Sequence, residues 1–195
     1  PYAWIADPDE PEVAAYLASE RAYYDARVAP LAGLRAELAA EMVARVPDLE
    51  PSAPWESGGW RYRRVMDAGQ EYERLVRRPV DEPEVAEAVL LDLQAVHDAG
   101  GTGYARDGVV EVSPDGRWLA WSVDLEGDEV YALRFRDLLT GVDLDEVVPR
   151  SYYTGAWSAD SRSFLYTVHD AAYRPYQVRC HVLGTSVDDD VLVLK

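Results

Sequence analysis

The stretch Ser113-Pro114-Asp115-Gly116-Arg117 recurs 45 residues later as Ser158-Ala159-Asp160-Ser161-Arg162. The gapless alignment of residues 113–140 with residues 158–185 contains eight identities in 28 positions, whereas random pairing at average residue usage gives about two. Each copy predicts a turn, a strand, a turn and a strand, because Ser-Pro-Asp-Gly is typical of a tight turn. A repeat of about 40–50 residues built from paired strands is typical of a β-propeller blade.

The number of such repeats decides the architecture. Propellers close with about four to eight blades, and residues 59–195 provide about three at this repeat length. We therefore predict a mainly β chain that carries part of a propeller and cannot close the ring by itself. An outer blade of an open ring leaves one face uncovered, and we expect the row of Phe164, Tyr166 and Val168 to face water. The isolated chain is then expected to self-associate or to be marginally stable.

In the N-terminal part, the apolar residues recur with the period of a helix rather than that of a strand. Residues 9–46 are predicted to be helical, with Pro30 dividing the segment. Asp9 and Glu12 have the spacing of a capping box, and Pro11 fits the first turn of a helix. An apolar stripe follows at helical spacing, formed by Leu31, Leu34, Leu38, Met42 and Val46.

A proline-rich stretch at residues 47–58 separates the two parts. We predict a helical segment over residues 1–54 and propeller blades over residues 55–195. The first hairpin is predicted from Trp60–Val65 and Tyr72–Val76. Residues 84–97 are compatible with a helix, or with a strand followed by a short helix.

The 195-residue chain carries 19 basic and 36 acidic residues, a formal net charge of −17. This balance argues against a nucleic-acid partner and against anionic membrane surfaces. It favours cations or basic peptides as partners, or else only a solvated acidic surface. Cys180 is the single cysteine, which fits a reducing, cytoplasmic location, and no apolar run approaches the ~20 residues of a membrane span.

Residues that could carry chemistry are few. The segment nearest to a Gly-x-Ser-x-Gly nucleophile elbow is Gly184-Thr185-Ser186-Val187-Asp188, which lacks the second glycine. His97, His169 and His181 lack the spacing of metal ligands and are interpreted as structural. Cys180 aligns with Phe135 in the repeat and is expected to be a buried strand residue. We assign no catalytic, cofactor-binding or metal-binding residue and expect no cofactor.

Two acidic clusters need an explanation. Asp124, Glu126, Asp128 and Glu129 crowd one turn, but a calcium loop requires glycine where Glu129 stands. The cluster is therefore interpreted as a solvated hairpin tip, and Asp188-Asp189-Asp190 as a charged loop.

Motifs along essentially the whole chain resemble the prolyl oligopeptidase family. The opening segment Tyr2-Ala3-Trp4-Ile5-Ala6-Asp7 is similar to the start of that family. The most specific segments are Arg174-Pro175-Tyr176 and His181-Val182-Leu183-Gly184-Thr185, and the whole set is most similar to the N-terminal region of the oligopeptidase B branch.

The resemblance implies a seven-bladed propeller that caps an α/β-hydrolase domain with a Ser-Asp-His triad. Such proteins cleave short peptides after Arg or Lys, and the N-terminal helices pack on the hydrolase domain. The positions that match the triad lie beyond Lys195, so this chain is expected to act as scaffold and substrate-access gate. The alternative is a non-enzymatic propeller-type binding module that another chain completes.

Overall fold

The computed structural model describes residues 2–7, 9–47 and 52–195. By its internal contacts the chain splits into two units, Pro1–Asp48 and Leu49–Lys195. The first is helical and the second consists mainly of antiparallel strands, as predicted. None of the described helices is long and apolar enough to cross a membrane.

The helical unit contains α1 (Pro11–Val28) and α2 (Ala32–Val43), joined by a 3-10 turn at Ala29–Leu31. Pro30 lies in that turn and divides the helix as predicted, since proline lacks an N–H and clashes with the preceding turn. The predicted capping box is wrong, because Glu10 is the N-cap residue and makes no side-chain capping bond.

The apolar stripe of the helical unit is formed but uncovered. Leu31, Leu34, Leu38, Met42 and Val46 are all exposed in this chain.

The second unit begins with a four-stranded sheet in which each strand pairs with the next. Its strands are β1 (Trp55–Ser57), β2 (Trp60–Val65), β3 (Arg74–Pro79) and β4 (Ala88–Asp92). The return strand β3 begins two residues later than predicted. A short helix, α3 (Leu93–Gly100), follows β4, so the strand-then-helix interpretation of residues 84–97 is correct.

A seven-stranded antiparallel sheet follows, again with sequential neighbours. Its strands are β5 (Arg106–Val112), β6 (Trp118–Asp124), β7 (Tyr131–Asp137), β8 (Val142–Trp157), β9 (Ser163–His169), β10 (Pro175–Val182) and β11 (Val191–Leu194). The 16-residue strand β8 pairs with β7 up to Ser151 and with β9 from Ser151 onward. We call β1–β4 the first blade, β5–β8 the second and β8–β11 the third, so β8 is both the fourth strand of the second blade and the first strand of the third.

The sequence repeat is visible in the hydrogen bonds. Ser113 and Ser158 each donate through Oγ to the aspartate two residues later, at 2.5 and 2.6 Å. Each backbone N–H also donates to the carbonyl five residues later, at 2.8 Å in both copies. The strands keep the same offset, since Phe135 pairs with Ala120 and Cys180 pairs with Leu165. The predicted equivalence of the two turns is confirmed.

Apolar clusters fill the spaces between successive blades. The cluster between the second and third blades contains Val109, Ala120, Leu133, Phe135, Val148, Phe164 and Tyr166. The prediction that the row of Phe164, Tyr166 and Val168 faces water is wrong, because Phe164 and Tyr166 are buried and Val168 packs against their cluster. Alternate side chains of a strand point to opposite faces, and this row points toward the second blade.

Leu165, Val178 and Cys180 lie on the opposite face of the third blade. We call this face the open face. These residues lie 45 positions after Ala120, Leu133 and Phe135, which are completely buried. The open face is only partly buried, so the expectation that Cys180 is a buried strand residue is wrong. The equivalent residue of the preceding blade, Phe135, is covered by the third blade, whereas the described chain provides no blade that covers Cys180.

Candidate functional site

Ser186, in the segment nearest to a nucleophile elbow, has a structural role here. It is the N-cap of a 3-10 turn at Val187–Asp189, and its hydroxyl accepts a hydrogen bond from the backbone of Asp188 at 3.3 Å. Thr185 donates to the carbonyl of Val182 at 2.7 Å. These bonds describe a turn between two strands rather than the sharp strand-to-helix elbow that presents a nucleophile.

The acidic turn after β6 is built around a buried carboxylate. Asp124 accepts hydrogen bonds from the backbone N–H groups of Glu126, Gly127 and Glu129 at 2.8–2.9 Å. The interpretation of a solvated tip is therefore wrong for Asp124, whose oxygens anchor the turn. The other three acidic residues, Glu126, Asp128 and Glu129, are exposed.

His181 lies at the centre of a buried polar network. Its Nδ1 is 2.8 Å from Asp190, and its ring stacks on Phe135 with 5.0 Å between centroids. Asp190 also accepts the Tyr166 hydroxyl at 2.6 Å. Burial, followed by the hydrogen bond to Asp190, raises the pKa of Tyr166, so this hydroxyl stays protonated and donates.

This network corrects one sequence interpretation and supports another. Asp190 is not part of a solvated charged loop, because its carboxylate points inward and fixes the start of β11 against β9 and β10. The ring of His181 is completely buried between strands, which fits the interpretation of this residue as structural. His169 is also buried and stacks on Tyr173, whereas His97 contacts Asp98 and Tyr72 near the surface.

A cleft runs along the first strands of the three blades. It has a volume of about 730 Å³, and we call it the first-strand cleft. β1 contributes Trp55, β5 contributes Glu111 and β8 contributes Trp157. The turn after β5, which includes Pro114, closes one side.

The two tryptophans of the cleft are held by their neighbours. Trp157 donates from Nε1 to the carbonyl of Glu111 at 2.9 Å and meets Phe164 edge-to-face at 5.1 Å. Trp55 stacks on Tyr62 with 5.5 Å between centroids and stays partly exposed. The cleft therefore has fixed aromatic walls that remain accessible to a ligand.

Glu111 is the acidic residue among those that line the cleft. The residue is exposed, yet the surrounding chain displaces enough water that burial raises the pKa of its carboxyl. Sequence reasoning missed this residue. The available signal was a single charge inside the apolar run Val109-Val110-Glu111-Val112.

Comparison with known proteins shows which family has this architecture. A family profile described as "Prolyl oligopeptidase, N-terminal beta-propeller domain" matches residues 1–195. The chain belongs to the prolyl oligopeptidase family. Among curated members, dipeptidyl aminopeptidase BI of Pseudoxanthomonas mexicana is 35% identical, over 98% of this chain and 29% of the relative. Protease 2 of Moraxella lacunata is 30% identical, over 100% of this chain and 29% of the relative.

Solved structures of prolyl oligopeptidase family members share the fold. Oligopeptidase B from Leishmania major superposes with a TM-score of 0.82 at 28% identity, over 100% of this chain and 28% of that one. The Trypanosoma brucei enzyme gives a TM-score of 0.80 at 26% identity, with the same coverage. The chain thus spans less than a third of the length of these relatives, and its three blades correspond to part of the family's propeller.

Proposed function

We propose that the chain is the N-terminal helical segment and the first three propeller blades of a serine oligopeptidase that hydrolyses short peptides after Arg or Lys. The blades serve as scaffold and as a gate that admits short peptides and excludes folded proteins. Hydrolysis uses a serine nucleophile, a histidine base and an orienting aspartate, contributed by a catalytic domain beyond Lys195. A cytoplasmic location is part of the proposal and rests on the single cysteine.

The observation that carries the proposal is the match of residues 1–195 to the N-terminal propeller region of peptidases. Two features of the chain favour basic substrates. The net charge of −17 attracts cationic peptides at long range, and Glu111 is among the residues that line the first-strand cleft. The uncovered open face further supports a scaffold that continues into another blade.

A direct test expresses the continuous reading frame that contains this chain. The product is expected to cleave arginyl and lysyl peptide amides at least about a hundredfold faster than citrulline or norleucine analogues, because a site built for a charged group rejects isosteres that lack it. The 195-residue chain alone is the control, and it is expected to show no hydrolysis above buffer.

Two results would reject the proposal. One is stoichiometric labelling of the 195-residue chain by a serine-directed phosphonate, which would place a nucleophile within these blades. The other is a reading frame without a Gly-x-Ser-x-Gly segment, which would favour the non-enzymatic binding module.

A further inference from the structure

We propose that the first-strand cleft binds the cationic side chain of a peptide, with Glu111 as the counter-ion and Trp55 and Trp157 as aromatic walls. The three residues come from the first strands of three different blades. The site therefore forms only when the blades pack side by side.

The first argument is the missing partner of Glu111. Acidic residues of the first blade are paired within the chain, since Glu56 pairs with Arg61 and Glu87 with Arg63 at 2.5–2.6 Å. Among the residues that the structure describes, none forms a hydrogen bond or an ion pair with the Glu111 carboxylate. A carboxylate that has lost part of its water without gaining a cation is an attractive site for an external one.

The second argument is the chemistry of the walls. Indole rings attract guanidinium and ammonium groups through the negative charge of the ring face. One such contact lies at its border, because the Arg77 guanidinium is 3.9 Å from the centre of the ring of Trp60, a residue that lines the cleft. Trp55 keeps an accessible face and lines the same cleft as Glu111.

The third argument is that the cleft is pre-formed. Trp157 is fixed by its hydrogen bond to the β5 backbone and by Phe164. Arg77 donates to the carbonyl of Gly116 at 2.7 Å and so ties the first blade to the turn that closes the cleft. A ligand would not have to order these groups, which lowers the cost of binding.

The identity of the natural ligand as a substrate peptide rests on the proposed function, whereas the binding of a cation does not. The test therefore measures binding and not hydrolysis. The probes are acetyl-Gly-Arg-Gly-amide and its citrulline counterpart, a neutral isostere, titrated into the 195-residue chain by NMR. The chain is expected to prefer the arginine peptide about tenfold, with the indole N–H signal of Trp157 shifting.

The variant Glu111→Gln is expected to reduce this preference to less than about twofold. Glu126→Gln is the matched control, because it makes the same charge change on an exposed turn outside the cleft, and it should keep the preference. If Glu111→Gln fails to fold by circular dichroism, Trp55→Leu replaces it, with an expected threefold weakening, about that of one exposed cation–π contact.

Equal binding of the two peptides by the unmodified chain would overturn the proposal. So would an equal loss of preference in Glu111→Gln and Glu126→Gln, which would show only a long-range charge effect. Failure of the proposed function is separately visible, because a reading frame without a hydrolase domain would leave the binding preference of the cleft unchanged.

Discussion

Replacing Phe135 with alanine is expected to lower the free energy of unfolding of the strand unit by about 3–5 kcal/mol. The ring is completely buried between the second and third blades. It meets Trp157 and Phe164 edge-to-face at 5.9 Å and stacks on His181. Strands that are hydrogen-bonded on both sides cannot collapse into the space that the ring would leave. Urea unfolding followed by circular dichroism measures the loss.

Cys180→Ala is the control for Phe135→Ala. Cys180 has the same place in the strand register one blade later, but it lies on the open face and is only partly buried. Its replacement is expected to change the free energy of unfolding by less than about 1 kcal/mol. A cost below about 1 kcal/mol for Phe135→Ala would show that the second and third blades do not pack as described.

Replacing Gly155 with alanine is expected to destabilise the strand unit by about 1–3 kcal/mol or more, as overpacking does. A Cβ at this position would overlap Cε1 of Phe164 and lie 2.7 Å from the carbonyl oxygen of Leu165. Phe164 cannot move aside freely, because Phe135 and Trp157 pack against it. The change also perturbs the first-strand cleft, which Gly155 lines.

Gly33→Ala is the control, and we expect it to change the stability in the opposite direction. Gly33 lies in α2, and a Cβ there would meet no atom within 4 Å. Alanine is expected to stabilise that helix by about 0.5–1 kcal/mol, since glycine loses more backbone freedom on folding. Thermal melts of the two variants should therefore shift in opposite directions. A Gly155→Ala protein that melts like the unmodified chain would contradict the close packing of β8 against β9.

The sequence predicts those features of the fold that depend on local chemistry. The hydrogen bonds of each Ser-x-Asp turn join residues at most five positions apart. The blade repeat can therefore be identified from the sequence without a structure. Proline at position 30 divides the helix for equally local reasons. Whether a row of strand side chains is covered is not a local property, because it depends on which neighbouring blade is present. For this reason the sequence alone does not reveal that the row of Phe164 and Tyr166 is buried.

The candidate site could be predicted only in part. The lack of a nucleophile elbow is a property of the sequence itself. The environments of Glu111 and Asp190 arise from strands that are distant along the chain, such as β8 beside β5 and β9 beside the start of β11. These environments could not be deduced from residue type, since acidic residues in loops and strands are usually solvated.

The open face connects the fold with the proposed function, in which the chain is part of a ring that continues beyond the third blade. Leu165, Val178 and Cys180 stand where Ala120, Leu133 and Phe135 are buried. Burying side chains of this kind contributes about 1.5–3 kcal/mol each, so an uncovered face favours pairing with a second copy of the chain.

Sedimentation velocity of the 195-residue chain across micromolar concentrations, combined with alkylation of its single cysteine, tests the open ring most directly. We expect reversible self-association, with Cys180 modified rapidly in the dilute monomer and protected as the oligomer forms. The added charge of Val178→Lys on the open face should shift the equilibrium to the monomer. A monomer at all concentrations whose Cys180 resists alkylation until the chain unfolds would contradict the open-ring account.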